Sequence, residues 1–239
     1  MFQNRQTESE HLFLQVLDEA GPCRFDAPRR AEALDGLASV YTDQRRLAEA
    51  ETLRRRSVEM YEELYGPDHY LTRRARANLA LLYRASYQYE QAEPFFRQEV
   101  EDAATRFGAE SAEVAASLKQ LADLYLEEKK QSDAEPLYVR ALALWQRAQG
   151  PEYPYVSDML IRLAEISVHE TKFAQAEEFY QQALEVYDRH LVTDHVLPIM
   201  LEKSAAILRA RGDDAKADAF VARAKSLRAK LPKSPYLVY

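Results

Sequence analysis

The chain has 239 residues, 47% hydrophobic and 30% charged, with 6 glycines, 1 cysteine and a formal net charge of −7. That is globular material for one large domain or two small ones, and the scarcity of glycine points to helices, because all-β folds need glycine at many turns. The acidic balance removes a global electrostatic attraction for nucleic acid, the lone Cys23 rules out an internal disulfide and a cysteine-based metal site, and no run of 18 apolar residues offers a membrane span.

The N-terminal stretch MFQNRQTESEHLFLQVLDEAG has no basic start followed by an apolar core, so it does not read as a secretory signal and a cytoplasmic location is expected. Residues 1–28 are expected to form a capping helix and a linker. Over 11–20 the apolar residues are Leu12, Leu14, Val16 and Leu17. This segment stands where the second helix of a preceding unit would stand. Pro22 and Pro28 flank the entry to the first repeated unit.

From residue 29 the chain repeats. Leu37, Leu79, Leu121 and Leu163 lie 42 residues apart, as do Ala38, Ala80, Ala122 and Ala164. Val40, Leu82, Leu124 and Ile166 form another column. Tyr41, Tyr83 and Tyr125 form a third, which Ser167 breaks. The pairs Ala50-Glu51, Ala92-Glu93, Ala134-Glu135 and Ala176-Glu177 keep the spacing, and Gly66, Gly108 and Gly150 end three units. A fifth unit comes after one deleted residue, with Leu201, Ala205, Ile207, Leu208, Ala215, Ala217 and Ala224 in the matching places. The units are placed at 29–70, 71–112, 113–154, 155–196 and 197–231, with a tail at 232–239.

Each unit reads as two helices. In the first helix Leu34, Leu37, Ala38 and Tyr41 make one apolar face by their i, i+3, i+4, i+7 spacing; in the second, Phe173, Ala176, Tyr180, Ala183, Leu184 and Tyr187 do the same. Pro94 and Pro136 are expected in first turns, where a missing N–H costs little, and Pro67, Pro151, Pro154 and Pro198 between units. The small alanines let neighbouring helices approach while Leu and Tyr fill the gaps. No unit can bury its apolar face alone, so stacked units form a one-dimensional array. The fifth unit, with Ser204, Asp213, Asp214, Lys216 and Asp218, is polar enough for a C-terminal cap. The tail LPKSPYLVY cannot continue a helix; its Tyr236, Leu237, Val238 and Tyr239 are expected to pack on the last helices or to enter a groove, its own or a neighbour's.

Leu-Ala-x-x-Tyr, then Tyr89 or Phe173, then Ala, then Phe96, Tyr138 or Tyr180, resembles the tetratricopeptide repeat. The 42-residue unit with its Ala-Glu pair and the loops Gly66-Pro67-Asp68-His69-Tyr70 and Gly150-Pro151-Glu152-Tyr153-Pro154 is similar to the kinesin light chain and nephrocystin-like subgroup. The resemblance covers about residues 29–230. It implies an all-α, right-handed superhelix of about five helix-turn-helix repeats plus an N-terminal capping helix, with an inner face, lined by first helices, that binds peptides or protein segments.

Nothing in the chain assembles a catalytic constellation, so no enzyme and no cofactor are expected. His69 lies in a recurring loop and His169 ends a first helix. His190 and His195, beside Asp194, are spaced i, i+5 and not the i, i+4 of two ligands on one helical face, so no metal site is expected. No Gly-rich phosphate loop or Gly-x-Ser-x-Gly turn occurs, and Cys23 has no recognisable partner. Carboxylates are expected on solvated faces in pairs such as Asp158-Arg162. Residues 29–84 carry 11 Arg against 9 acids, densest at Arg54-Arg55-Arg56 and Arg73-Arg74-Arg76; residues 85–170 carry 16 acids against 8 basic residues. These runs are expected to be solvated and salt-bridged, and they lack the interleaved aromatics of an RNA-binding surface.

Variable columns of the first helices are the candidate binding face. They contribute Arg74, Asn78, Leu81 and Arg84 in the second unit, Lys119, Gln120, Asp123 and Leu126 in the third, Arg162 and Glu165 in the fourth, and Lys203 in the fifth. The column before the repeated Leu begins at Gly36. Amides and guanidinium groups there can hydrogen-bond the backbone of an extended segment, with apolar pockets near Leu81, Leu126, Ile161 and Val168 supplying selectivity. The family's carboxylate clamp needs a Lys–Asn pair on one first helix; Asp35 and Ser39, Ala77 and Leu81, and Lys119 and Asp123 stand there instead, so that activity is not expected. The function expected is a non-enzymatic adaptor or scaffold that binds a peptide or protein segment. Its rivals are a receptor for a short regulatory peptide and a structural subunit that self-associates, forming a homo-oligomer through its termini.

Overall fold

The structure is a computed structural model describing residues 2–19, 26–150, 154–190 and 196–230. The sequence features at Pro22, Cys23, Pro151, Asp194, His195 and the 232–239 tail lie outside the described residues. Among those described there are eleven helices and no strand: α1 (Phe2–Glu19), α2 (Ala27–Asp43), α3 (Leu47–Tyr65), α4 (Tyr70–Ala85), α5 (Tyr89–Phe107), α6 (Ala112–Glu127), α7 (Gln131–Gln149), α8 (Pro154–His169), α9 (Phe173–His190), α10 (Val196–Ala210) and α11 (Asp214–Lys230). The contacts divide the chain into two compact units, residues 1–99 and residues 100–239.

Within each unit helices consecutive in sequence pack on one another: α1 on α2, α2 on α3 and α3 on α4 in the first, and α6 through α11 in turn in the second. The repeated alanines explain how closely. Ala38, Ala50, Ala122, Ala134, Ala164 and Ala176 are all 0% exposed, so a larger side chain at any of them has nowhere to go. Around Ala38, Ala50 and Leu82 pack Tyr41, Leu47 and Leu53. Buried hydroxyls tie the helices further: Ser57 Oγ donates to the Ala31 carbonyl at 3.1 Å, and Thr72 Oγ1 lies 2.7 Å from the Gly66 carbonyl. In the second unit the indole of Trp145 stacks on Tyr155 at 5.2 Å.

The turn inside each repeat is closed the same way. Arg45, Tyr87, Lys129, Thr171 and Gly212 all adopt positive φ, between 59° and 83°. The amide after each donates back to the carbonyl five residues earlier, as in Arg46 to Tyr41 at 2.8 Å and Lys172 to Ser167 at 2.8 Å. This is a left-handed cap that satisfies an orphan helix carbonyl. Only one of the five positions is glycine, so its sequence signal is nearly silent. The loops between repeats, by contrast, use glycine: Gly66 has φ 86° and ψ 169°, a region open essentially to glycine alone.

Several sequence expectations need correction. Pro94 and Pro136 each stand sixth in α5 and α7, beyond the first turn. Each therefore removes a helical hydrogen bond, to the carbonyl of Glu90 or Ser132. Both of these residues are exposed, so water can serve the carbonyl. Pro154 opens α8, and Pro198 is buried in the first turn of α10; neither falls between helices. The N-terminal helix begins at Phe2, well before His11, and of its apolar residues Val16 and Leu17 are partly buried. Leu12 and Leu14 are exposed, at 60% and 44%, while Phe13 does the docking. A Cβ on Gly36 would lie 2.4 Å from Phe13 Cζ, so glycine at 36 is what admits the ring. Glu10 adds hydrogen bonds from Gln44 (3.0 Å) and Arg46 (3.1 Å).

Candidate partner-binding face

In residues 1–99 the candidate side chains stand on α4. Asn78 does not point free: its Nδ2 donates to Asp35 on α2, at 3.1 and 3.4 Å to the two carboxylate oxygens. The same carboxylate pairs with Arg54 of α3, whose Nη2 also donates to Ser39 Oγ at 3.1 Å. Arg54 is 8% exposed and its Nε has no partner. It occupies the column of Phe96, Tyr138 and Tyr180, so here a guanidinium stands where later repeats place an aromatic ring. Thus the first member of the Arg54-Arg55-Arg56 run is a buried structural cation, not part of a solvated face. Arg55 does pair on the surface, with Glu51 at 3.0 Å. Arg74 is exposed, and the burial of Tyr61, partly offset by the charge of Arg74, raises the pKa of that phenol. Leu81 is 44% exposed, and Arg84 is half-buried. At the start of α4, His69 caps the helix and stacks on Tyr65 at 4.4 Å, which makes it a turn residue.

In residues 100–239 the candidates form a charge ladder across successive first helices. Lys119 of α6 pairs with Asp123 at 2.9 Å and with Asp158 of α8 at 3.1 Å. Burial disfavours the Lys119 charge, but the Asp123 hydrogen bond and the Asp123 and Asp158 charges outweigh it and hold its pKa above the usual lysine value. Asp123 also accepts from the hydroxyl of fully buried Tyr138; burial first, and then the Asp123 charge, push that phenol's pKa far up. Arg162 pairs with Glu165 at 3.2 Å, and Glu165 in turn takes Lys203 of α10. The pair expected between Asp158 and Arg162 is thereby replaced by contacts to Lys119 and Glu165. Gln120 is exposed.

Two cavities open on this face. One, of about 330 Å³, lies among α6, α7 and α8 and is lined by Leu126, Gln131, Arg162, Glu165 and His169. The other, of about 400 Å³, lies among α8, α9 and α10, where Val168, Phe173, Tyr180, Ala206 and Ile207 make an apolar lining with Lys203 at the edge. They are the same place in consecutive repeats. Val168 stands in the column of Leu126, Phe173 in that of Gln131, Lys203 in that of Arg162 and Ala206 in that of Glu165. Glu165 borders both. Leu126 and Val168 are legible from sequence as pocket residues. Ile161 is not one, being 9% exposed and part of the core. Gln131, Phe173 and Ile207 are invisible in the variable columns of first helices, because two of them begin second helices and the third sits in a packing column.

Among the described residues no group of three His, Cys, Asp or Glu is placed to hold a metal ion, and no helix is long and apolar enough to cross a membrane.

A tetratricopeptide repeat model matches residues 29–105 and 113–189. The chain is similar in structure to BtubC (BKLC) from P. vanneervenii, with a TM-score of 0.74 at 23% identity over 99% of this chain and 96% of that one. It is also similar to a proposed kinesin light chain with nearly identical TPR-like repeats from Podosopora anserina, with a TM-score of 0.69 at 21% identity over 87% of this chain and 99% of that one. The apo form of RapI matches at a TM-score of 0.59 and 14% identity, covering 96% and 95%. At these identities the likeness is one of fold: an all-α solenoid of helix pairs. No curated protein matches the chain in sequence.

Proposed function

The chain belongs to the tetratricopeptide repeat family, and from that premise we propose that it is a non-catalytic adaptor or scaffold of the cytoplasm. In this proposal the first-helix face of residues 100–239 holds an extended segment of a partner protein. The observation that carries this is the pair of cavities one repeat apart on one face, both bordered by Glu165. Side chains of one extended segment can enter both, while Gln120 and the ladder from Lys119 to Lys203 meet its backbone and flanks. On α4, the exposed Leu81 and Arg74 and the Oδ1 of Asn78 offer the same kind of contact.

The test compares proteins captured by the wild-type chain, by Ala206→Phe and by Arg140→Ala. Ala206 is exposed beside the apolar cavity, so a phenyl ring there fills it without entering the core; Arg140 is exposed on α7, away from the cavities. Partners retained by Arg140→Ala and lost by Ala206→Phe are expected. If Ala206→Phe captures the same partners as wild type, this face is not where they bind.

A further inference from the structure

Tyr138 and Tyr180 stand in one column of the repeat, yet their hydroxyls differ in what they meet. Tyr138 donates a hydrogen bond to Asp123. One repeat on, the place of Asp123 is taken by Glu165, whose carboxylate is held by Lys203 and, at 3.2 Å, by Arg162. The Tyr180 hydroxyl makes no hydrogen bond among the described residues. From this difference we propose that Tyr180 is the specificity-determining residue of the cavity among α8, α9 and α10. It selects, from the bound segment, a side chain with an apolar body and a hydrogen-bonding tip, tyrosine fitting best, over a purely apolar one such as phenylalanine. This rests on the reading of the face as a groove for a partner segment.

The body of that side chain follows from the lining. Val168, Phe173, Ala206 and Ile207 present hydrocarbon and ring to a space of about 400 Å³. One aromatic side chain fits in such a space, and apolar contact is what it rewards.

The tip follows from Tyr180. The residue is 1% exposed and lines the cavity, so the cavity is where its hydroxyl can find a partner. The hydroxyl lies toward Glu165. The Tyr138 hydroxyl reaches the matching position, and the Glu165 charge, after burial, raises the pKa of the Tyr180 phenol. In an open cavity water can serve a hydroxyl. A ring without a polar tip displaces that water and returns no hydrogen bond, so a buried polar group is left unpaired; a ring with a hydroxyl restores the bond.

The kind of tip follows from the two groups at that end. Tyr180 offers a donor, and Glu165 has acceptor sites beyond the two used by its cations. A phenol accepts from the first and donates to the second. A charged tip would have to leave water among apolar walls, and a carboxylate would also meet the like charge of Glu165.

The experiment is a selection of random peptides displayed on phage against the full chain. Each enriched peptide is then synthesised in two forms, with Tyr and with Phe at its anchor position, and both affinities are measured. Expected are enriched peptides that lose binding to Ala206→Phe, and a Phe form about tenfold weaker than the Tyr form on the wild-type chain. On Tyr180→Phe the two forms should bind within about twofold of each other, because the group that tells them apart is gone. A Phe form that binds the wild-type chain as tightly as the Tyr form overturns the inference and leaves the groove reading standing. A preference for Tyr that survives Tyr180→Phe does the same. If the selection yields no peptide sensitive to Ala206→Phe, the groove reading falls and takes the inference with it. Tyr180→Phe removes a hydroxyl that bonds nothing in the fold, and circular dichroism of each variant separates lost folding from lost binding. The comparison of the two peptide forms on the wild-type chain needs no variant at all.

Discussion

The buried cation of the first repeat makes the sharpest stability prediction. Arg54 and Asp35 have side chains only 10% and 16% exposed. Asp35→Ala removes the charge partner of a guanidinium that is almost out of water, and breaking a buried pair from one side typically costs about 3–5 kcal/mol. Two features set the value here at the lower end. Ser39 Oγ still accepts from Nη2, and the hydrogen bond lost by Asn78 is worth only about 1 kcal/mol, because that half-buried amide can turn to water. The expected cost is about 3 kcal/mol. The repeat supplies its own rescue: the matching positions are Phe96, Tyr138 and Tyr180, so Arg54→Phe combined with Asp35→Ala exchanges an ion pair for the aromatic packing used three times elsewhere. That double variant should return to within about 1 kcal/mol of wild type. Hydrogen exchange of the α2 and α3 amides is the assay, since repeat arrays open locally. Fluorescence of Trp145, the one tryptophan, reports the other unit separately. The reasoning is refuted if Asp35→Ala costs less than about 1 kcal/mol, or if the double variant is no more stable than Asp35→Ala alone.

Three further outcomes are expected. Thr171→Gly should stabilise residues 100–239 by about 0.5–1 kcal/mol in urea denaturation, because a β-branched residue held at φ 61° is strained and Thr171 is exposed, so little packing is lost. Ala122→Leu should destabilise by about 1–3 kcal/mol in the same assay through overpacking of a position that is 0% exposed. Burial raises the phenol pKa values of Tyr138 and Tyr180 above the ordinary tyrosine value of about 10, so the stability they contribute is complete below that pH and is lost as the pH climbs past it. Tyr138→Phe with Tyr180→Phe should therefore move the alkaline limb of thermal stability to higher pH; an unmoved limb would contradict the assignment.

The fold was legible because its determinants recur. A seam that requires Ala requires it in every repeat, so Ala38, Ala80, Ala122 and Ala164 report one physical constraint four times. The left-handed turn recurs just as strictly at Arg45, Tyr87, Lys129 and Thr171, yet stays hidden. There the constraint acts on the backbone, and hydrogen bonds formed by neighbouring residues hold φ positive whatever the side chain. Phe13 stayed hidden for a related reason. Its site is a single Cβ-free position, Gly36, and one glycine in a variable column carries no sign of the ring that fills it. For the candidate face, residue choice was accessible from variability, but pairing was not. Whether Asp158 meets Arg162 in its own helix or Lys119 of α6, the preceding first helix, depends on how closely the helices stack.

That pairing changes what the face can do. Columns free of packing duty are not idle: Asn78 is engaged by Asp35, Lys119 by two aspartates, and Glu165 by Arg162 and Lys203. A ligand that sought these groups would have to displace partners already in place, and exposed ion pairs return little when exchanged one for another. Affinity is better drawn from the apolar cavity, where filling it breaks no existing contact. In this arrangement the aromatic column decides where binding energy is available. Tyr180 lines the open cavity, Tyr138 is turned to a structural bond with Asp123, and Arg54 locks Asp35. On the proposed binding face this one position thus separates an open cavity, at Tyr180, from sites closed by a structural bond, at Tyr138 and Arg54.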